Sequence, residues 1–195
     1  MDFKVSPVDH FQKYFAEAEK AQLPEPNAMS VATIGLDGRP ANRVVLYKGM
    51  IRGAFSFFTN YESRKGLELE KNPCVAAVFF WPQLSQQIRI EGRVEKLSRQ
   101  ESEEYFASRP RLSQLGAWAS AQSRVIPNYD YFKNRIQQAT DQFADQNSVP
   151  CPPHWGGYGL FADKIEFWFG LQGRLHERYQ FVKQDQQWQG QMLSP

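Results

Sequence analysis

The chain has 195 residues, of which 42% are apolar and 14% aromatic, enough to bury one sizeable core and too few to suggest several domains. Its 23 Lys and Arg stand against 21 Asp and Glu, a net charge of +2, so no whole-molecule field calls for nucleic acid or an anionic membrane, and any basic chemistry must be local. The longest apolar stretch, Val75 to Trp81, is far short of the ~20 residues of a spanning helix, and MDFKVSPVDH lacks the apolar core of a signal peptide. We therefore expect one cytoplasmic domain over residues 1–195, with residues 1–25 as its N-terminal helix region.

In chain order, Pro7 to Ala21 places Val8, Phe11, Phe15 and Ala18 at helical spacing, and the Pro24 and Pro26 region ends that helix. Met29 to Ile34 and Ala41 to Tyr47 flank Asp37-Gly38, a pair that tolerates the positive φ a tight hairpin demands. Ala54 to Thr59, Cys74 to Trp81 and Gln86 to Leu97 read as strands rich in β-branched and aromatic residues, with a short helix over Ser63 to Asn72. Ser98 with Glu101 forms a capping-box pattern for a helix that runs to about Ser108, where Pro110 ends it. A longer helix places Tyr129, Phe132, Ile136, Ala139 and Phe143 on one face, before Pro150, Pro152 and Pro153 forbid regular structure. Tyr158 to Phe161, Lys164 to Phe169 and a final strand from Arg174 to Val182 complete seven or eight strands. With helices inserted between groups of them, a mostly antiparallel β-barrel is expected.

The scarce residues narrow the chemistry. Cys74 and Cys151 support neither a disulfide framework nor a thiolate metal site, and His10, His154 and His176 show no ligand spacing, so no metal is expected. GxSxG, GxxxxGK[ST] and a strand-to-helix GxGxxG are all missing, leaving the nucleophile-elbow, P-loop and Rossmann routes without an anchor. An enzyme of this composition takes its hard chemistry from a cofactor.

Four basic clusters then stand out. In ESRKGLELEKN, Ser63 is an N-cap followed by Arg64 and Lys65. Cations in a helix's first turn are mildly unfavourable unless an anion sits there, which makes this a phosphate-site pattern; the alternative is two solvated residues at a surface helix end. In RVVLYK, Arg43 and Lys48 bracket four largely apolar residues; they point to opposite faces of an unbulged strand, or one leaves at its end. In YFASRPRLSQLGAW, Tyr105 and Arg109 share a helix face and Ser113 follows the proline, a set able to hold a second phosphate, or else an exposed helix end with a snorkelling arginine. In GRLHERYQF, alternation puts Arg174, His176 and Arg178 on one strand face, where like charges repel unless an anionic or electron-rich ligand answers them.

These residues, with AMSVATIGLDGRPANRVVLYK, FFTNYESRK, QQIRIEGRVEKLS, SAQS, HWGGY, IEFW and the terminal LSP kept in order from Pro26 to Pro195, closely resemble the pyridoxine (pyridoxamine) 5′-phosphate oxidases, FMN enzymes of the split-barrel class. The resemblance implies an antiparallel FMN-binding split β-barrel, mostly β with inserted helices. It implies flavin contacts from Arg43, Val44, Val45, Leu46, Tyr47 and Lys48, from Phe58 and Thr59, and from Gln87. Ser63, Arg64 and Lys65 would hold the flavin phosphate, and Gln122, Ser123, Trp168 and Arg178 would complete the site, partly from the second subunit of a homodimer. Lys48, Tyr105, Arg109 and Ser113 would take the substrate phosphate, while Arg174 and His176 would act catalytically over the pyridine ring. The implied reaction oxidises pyridoxine or pyridoxamine 5′-phosphate to pyridoxal 5′-phosphate, with O2 as acceptor and H2O2 as product.

Two departures are visible. Only Met1 to Ser6 precede the first helix, so the N-terminal arm of many relatives is expected to be absent, and Tyr47 stands where an aliphatic residue is expected, its bulk beside the flavin strand. The rival expectations are a split-barrel flavin oxidase acting on phenazine precursors and a protein that binds FMN or pyridoxal phosphate without turnover. A β-barrel nucleic-acid binder is disfavoured by the near-neutral charge.

Overall fold

The computed structural model describes residues 1–195. Helix α1 (Pro7–Lys20) is capped by Ser6, whose hydroxyl accepts from Val8 N–H, and its buried Phe11 and Ala18 lie against the sheet. Phe11 sits at the centre of an aromatic cluster with Phe15, Tyr47, Phe55 and Phe79. Each such ring withdrawn from water contributes roughly 1.5–3 kcal/mol.

Strands β1 (Ala28–Ile34), β2 (Pro40–Leu46), β3 (Met50–Ile51), β4 (Ala54–Asn60), β5 (Cys74–Trp81), β6 (Gln86–Lys96), β7 (Trp155–Phe169), β8 (Glu177–Gln184) and β9 (Gln187–Leu193) form one sheet, ordered β2-β1-β5-β6-β7-β4-β3, with β8 and β9 branching from β7. All the pairings are antiparallel. The Asp37-Gly38 hairpin is present, with Gly38 at φ +82° and Gly35 N–H donating to Arg39 O. Helices α2 (Arg64–Lys71), α3 (Arg99–Ser108), α4 (Arg111–Ala119) and α5 (Tyr129–Gln142) are inserted between strands. The Ser98–Glu101 capping box forms as expected. A second apolar cluster, including Phe106, Leu115, Phe143 and Trp155, holds α3, α4 and α5 to the start of β7. No helix is long and apolar enough to cross a membrane.

Three expectations are corrected. The two strands at Tyr158–Phe161 and Lys164–Phe169 are one strand, β7, broken only by a bulge: Glu91 pairs with Lys164 and Gly92 with Ala162, so exposed Asp163 has no partner on β6. That extra residue interrupts the alternation from which a strand is read. The proposed strand over Arg174–Val182 starts only at Glu177, because Gln172–Arg174 is a 3-10 turn in which Gly173 and Arg174 take φ of +66° and +61°. Arg174, His176 and Arg178 therefore do not share a strand face; only Arg178 lies on β8. Finally, α4 lies where a proline break was expected, since Pro110 serves as its N-cap, and β3 and β9 are additional strands.

Candidate active site

Helix α2 presents its N-terminus beside the end of β4. Ser63 is fully buried; its hydroxyl accepts from Gly66 N–H and donates to Asn60 O. It builds the turn that presents Lys65, whose Nζ lies 3.4 Å from the Ser63 hydroxyl oxygen. Lys65 Nζ lies 2.7 Å from Thr59 Oγ1 and 2.8 Å from Gln122 Oε1, and Thr59 donates to the same Gln122 oxygen at 3.1 Å. Burial, then the neighbouring Arg43 charge, lower the Lys65 ammonium to about 8, although Glu68 pulls the other way.

Two cavities meet at Lys65. A 530 Å³ cavity is lined by Arg43, Arg64, Lys65, Gln122 and Ser123, with Val44 and the start of β2. A 570 Å³ cavity is lined by Lys48, Lys65, Tyr105, Arg109, Ser113 and Gln122, together with Val44, Val45, Leu46, Phe58, Thr59, Ser108, Pro110 and Trp155. Val44, Lys65 and Gln122 belong to both. Neither lining contains a carboxylate, and both volumes fall in the range of small-molecule sites, roughly 300–1,000 Å³.

The larger cavity gathers groups able to hold an anion. Arg109 follows α3, stacks its guanidinium 4.7 Å from the Trp155 ring centroid, and keeps a buried Nη1 with no hydrogen-bond partner. Burial lowers its pKa, so its charge is held at a cost that a bound anion removes. Ser113 lies in the first turn of α4, whose N-terminus has no side-chain cap; its own N–H donates to Pro110 O, which leaves those of Arg111 and Leu112 for oxygen ligands. Tyr105 stacks on Phe58 at 3.9 Å, and Lys48 Nζ lies 6.0 Å over the Tyr105 ring. Lys48 has left β2 at its end, one of the two alternatives left open by its odd spacing from Arg43.

Arg43 and Arg64 are less free than their place in the sequence suggests. Arg43 Nη2 pairs with Glu68 at 2.7 Å and Arg64 Nε with Glu68 at 2.8 Å. Tyr47 is 5% exposed and packs its ring against Phe11, Phe15 and Phe79. Its N–H donates to Asn27 O and its own carbonyl accepts from Asn27 Nδ2. The Tyr47 side chain is thus part of the core and is turned away from the cavities that its neighbours Leu46 and Lys48 line. Ser123 holds a left-handed φ of +69° at the rim, a strained conformation typical of functional loops.

The remaining candidates lie elsewhere. Gln87, Trp168 and Arg178 form one row across β6, β7 and β8, since Gln87 pairs with Trp168 and Trp168 with Arg178. Arg178 Nε donates to Glu166 Oε1 at 2.9 Å and its Nη1 to Ser194 O at 3.1 Å; the Glu166 hydrogen bond raises its pKa. The His176 ring lies 4.6 Å from that of Trp168, and its Nδ1 accepts from Leu171 N–H at 3.2 Å, while Arg174 is exposed on the same loop. The cavities at Lys65 meet β7 at its opposite end, where Thr59 pairs with Gly156. From Gly156 to Trp168 is twelve residues, a contour of roughly 40 Å. One chain thus holds two separate groups of candidate residues at opposite ends of β7.

Two contributors escaped sequence reasoning. Trp155 sits in HWGGY and carries Arg109 on its face; a lone aromatic beside a strand start gives no sign of that. Glu68 is the buried partner of two arginines, signalled only by its i+4 spacing from Arg64.

The family described as pyridoxamine 5′-phosphate oxidase matches residues 15–143, and a pyridoxine 5′-phosphate oxidase C-terminal dimerisation region matches residues 155–195. Relatives named pyridoxine/pyridoxamine 5′-phosphate oxidase include that of Cupriavidus necator, 50% identical over 195 residues covering 100% of this chain and 91% of the relative. That of Bdellovibrio bacteriovorus is 49% identical, covering 100% and 99%. Among solved structures, PhzG from Burkholderia lata 383, in complex with tetrahydrophenazine-1-carboxylic acid, superposes with a TM-score of 0.91 at 27% identity, covering 97% and 93% of the two chains. A pyridoxamine 5′-phosphate oxidase-related, FMN binding protein from Nostoc punctiforme shares the fold, with a TM-score of 0.78 at 17% identity over 100% of both chains. The fold is the antiparallel split barrel of these proteins. Matched along both its segments and by relatives of nearly its own length, the chain belongs to the pyridoxamine 5′-phosphate oxidase family.

Proposed function

We propose that this chain is a cytoplasmic FMN-dependent oxidase converting pyridoxine or pyridoxamine 5′-phosphate to pyridoxal 5′-phosphate, with O2 as electron acceptor and H2O2 as product. The observation that carries this is the pair of carboxylate-free cavities meeting at Lys65 and Gln122, each with its own cations. Two adjacent phosphate monoesters, one on the cofactor and one on the substrate, match that arrangement. The names of the relatives support the same chemistry.

The residues present fit FMN: Arg43, Arg64 and Lys65 offer forked and single-point donors for its phosphate, with Gln122 and Ser123 at the rim. When bound, FMN supplies a two-electron acceptor that O2 can reoxidise. Lys48, Tyr105, Arg109 and Ser113 hold the substrate phosphate, so that remote binding energy fixes the position of the reacting 4′ carbon. Gln87, Trp168 and Arg178 come from the second protomer of a homodimer, as do Arg174 and His176. Because Nδ1 of His176 accepts the Leu171 N–H, the neutral ring carries its proton on Nε2 and presents a donor to the substrate.

The test is an absorption spectrum of the purified protein before and after anaerobic addition of pyridoxine 5′-phosphate, followed by oxygen uptake in air. A flavin spectrum that bleaches with the phosphorylated vitamin is the expected result. A bound flavin that responds only to a reduced phenazine precursor would point to the other oxidase class, and one that responds to neither would mark a carrier. A chain that refuses FMN would overturn the assignment.

A further inference from the structure

We infer that Glu68 is the positioning residue of the cofactor-phosphate subsite: one buried carboxylate fixes both Arg43 and Arg64 in the orientation in which they meet a phosphate monoester. This rests on the assignment of that cavity made above.

Glu68 is 0% exposed on the inward face of α2, next to buried Leu69. Its Oε2 accepts from Thr33 Oγ1 at 2.6 Å and from Arg43 Nη2 at 2.7 Å, and its Oε1 accepts from Arg64 Nε at 2.8 Å. Burial alone would raise its pKa; the hydrogen bonds from Thr33, Arg43 and Arg64, with the Arg43 charge, hold it below the ordinary carboxylate value. A hydrophobic side chain at this position would avoid the desolvation of an ion, so packing does not account for the carboxylate.

What the carboxylate supplies is geometry and counter-charge. The Arg64 side chain is 65% exposed, and its one ion pair is the one to Glu68; without it a long, rotamer-rich side chain would have to be ordered at the moment of binding. Using Nε for Glu68 leaves both terminal nitrogens of Arg64 for the cavity. Arg43 comes from a different element and is turned to the same carboxylate, with Nη1 donating to Thr33 Oγ1 at 2.5 Å and Val31 O at 3.3 Å. Arg43, Arg64 and Lys65 would otherwise crowd three like charges along one cavity wall. Glu68 offsets that repulsion from behind, where it does not compete for space in the cavity.

The experiment measures FMN and riboflavin dissociation constants by flavin fluorescence quenching on the full-length apoprotein, for wild type, Glu68→Gln, Arg64→Ala and the double variant. Glu68→Gln keeps the volume but turns an amide N–H2 toward a guanidinium, so FMN should bind about tenfold more weakly, the loss of roughly one charge-assisted bond. Riboflavin, which lacks the phosphate, should be unaffected. In the Arg64→Ala background the same change should cost clearly less. Unchanged FMN binding, an equal loss for riboflavin, or strict additivity would each overturn the inference. If Glu68→Gln fails to fold, Thr33→Val withdraws one donor from the same carboxylate and should weaken FMN alone; no change there would also overturn it. A wild-type chain thermally stabilised by inorganic phosphate but indifferent to FMN would sink the flavin assignment only. The role of Glu68 would then be judged by whether Glu68→Gln abolishes the phosphate response.

Discussion

Arg109 illustrates how one side chain can be poor for folding and good for binding. Its half-buried charge has no carboxylate partner, and its Nη1 is buried without a hydrogen-bond partner. Replacing it by methionine removes a desolvation cost and a cation–π contact together, so stability in urea should change by less than about 1 kcal/mol. The KM for pyridoxine 5′-phosphate should rise roughly 10- to 100-fold, with flavin affinity kept, as expected for a lost charged hydrogen bond. Lys65 sets a pH dependence. Its pKa in the free protein is lowered to about 8, so the ammonium is charged below that value and neutral above it, and a bound phosphate shifts it upward. Affinity for FMN should therefore fall as pH rises through 8, by at most about one decade per unit. Lys65→Arg, charged throughout, should flatten that limb in a titration of dissociation constant against pH. These cations were legible in the sequence because they sat where folding alone gives no reason for them. Glu68 and Trp155 were not, since a glutamate in a helix and a tryptophan by a strand are ordinary until the fold brings Arg43 and Arg109 to them.

Among the elements, β6 and β7 carry the most consequential irregularity. A methyl group on Gly92 would lie 2.0 Å from Phe161 O and 3.0 Å from the Ala162 Cα, both backbone atoms at the bulge. Gly92→Ala should destabilise the fold by roughly 2–3 kcal/mol, read from urea denaturation, and weaken flavin binding too, because the bulge sets the direction in which β7 carries Trp168. Regular elements with strong patterns were readable: the Asp37-Gly38 hairpin, the Ser98 capping box and the β-branched and aromatic run of β5. The misread elements lack such marks. The β8–β9 turn is made by Asp185 and Gln186, both at positive φ, without a glycine to announce it; β9 has no β-branched residue and interleaves three glutamines and a glycine with its apolar residues; and α4 contains Gly116 and begins at a proline that also reads as a terminator.

On the scale of the molecule, what matters is that β7 serves Phe58 and Thr59 at its start, and Gln87 and Arg178 near its end. In the homodimer proposed above, each complete site would draw one half from each chain. Inactive variants should therefore rescue one another. A chain lacking Arg109 and a chain lacking His176, each nearly silent alone when substrate is held far below the raised KM, would on unfolding and refolding together form mixed pairs with one intact and one doubly broken site. Random reassortment makes half of all pairs mixed, so the blend should regain about a quarter of wild-type turnover. No recovery would mean that each chain completes its own site.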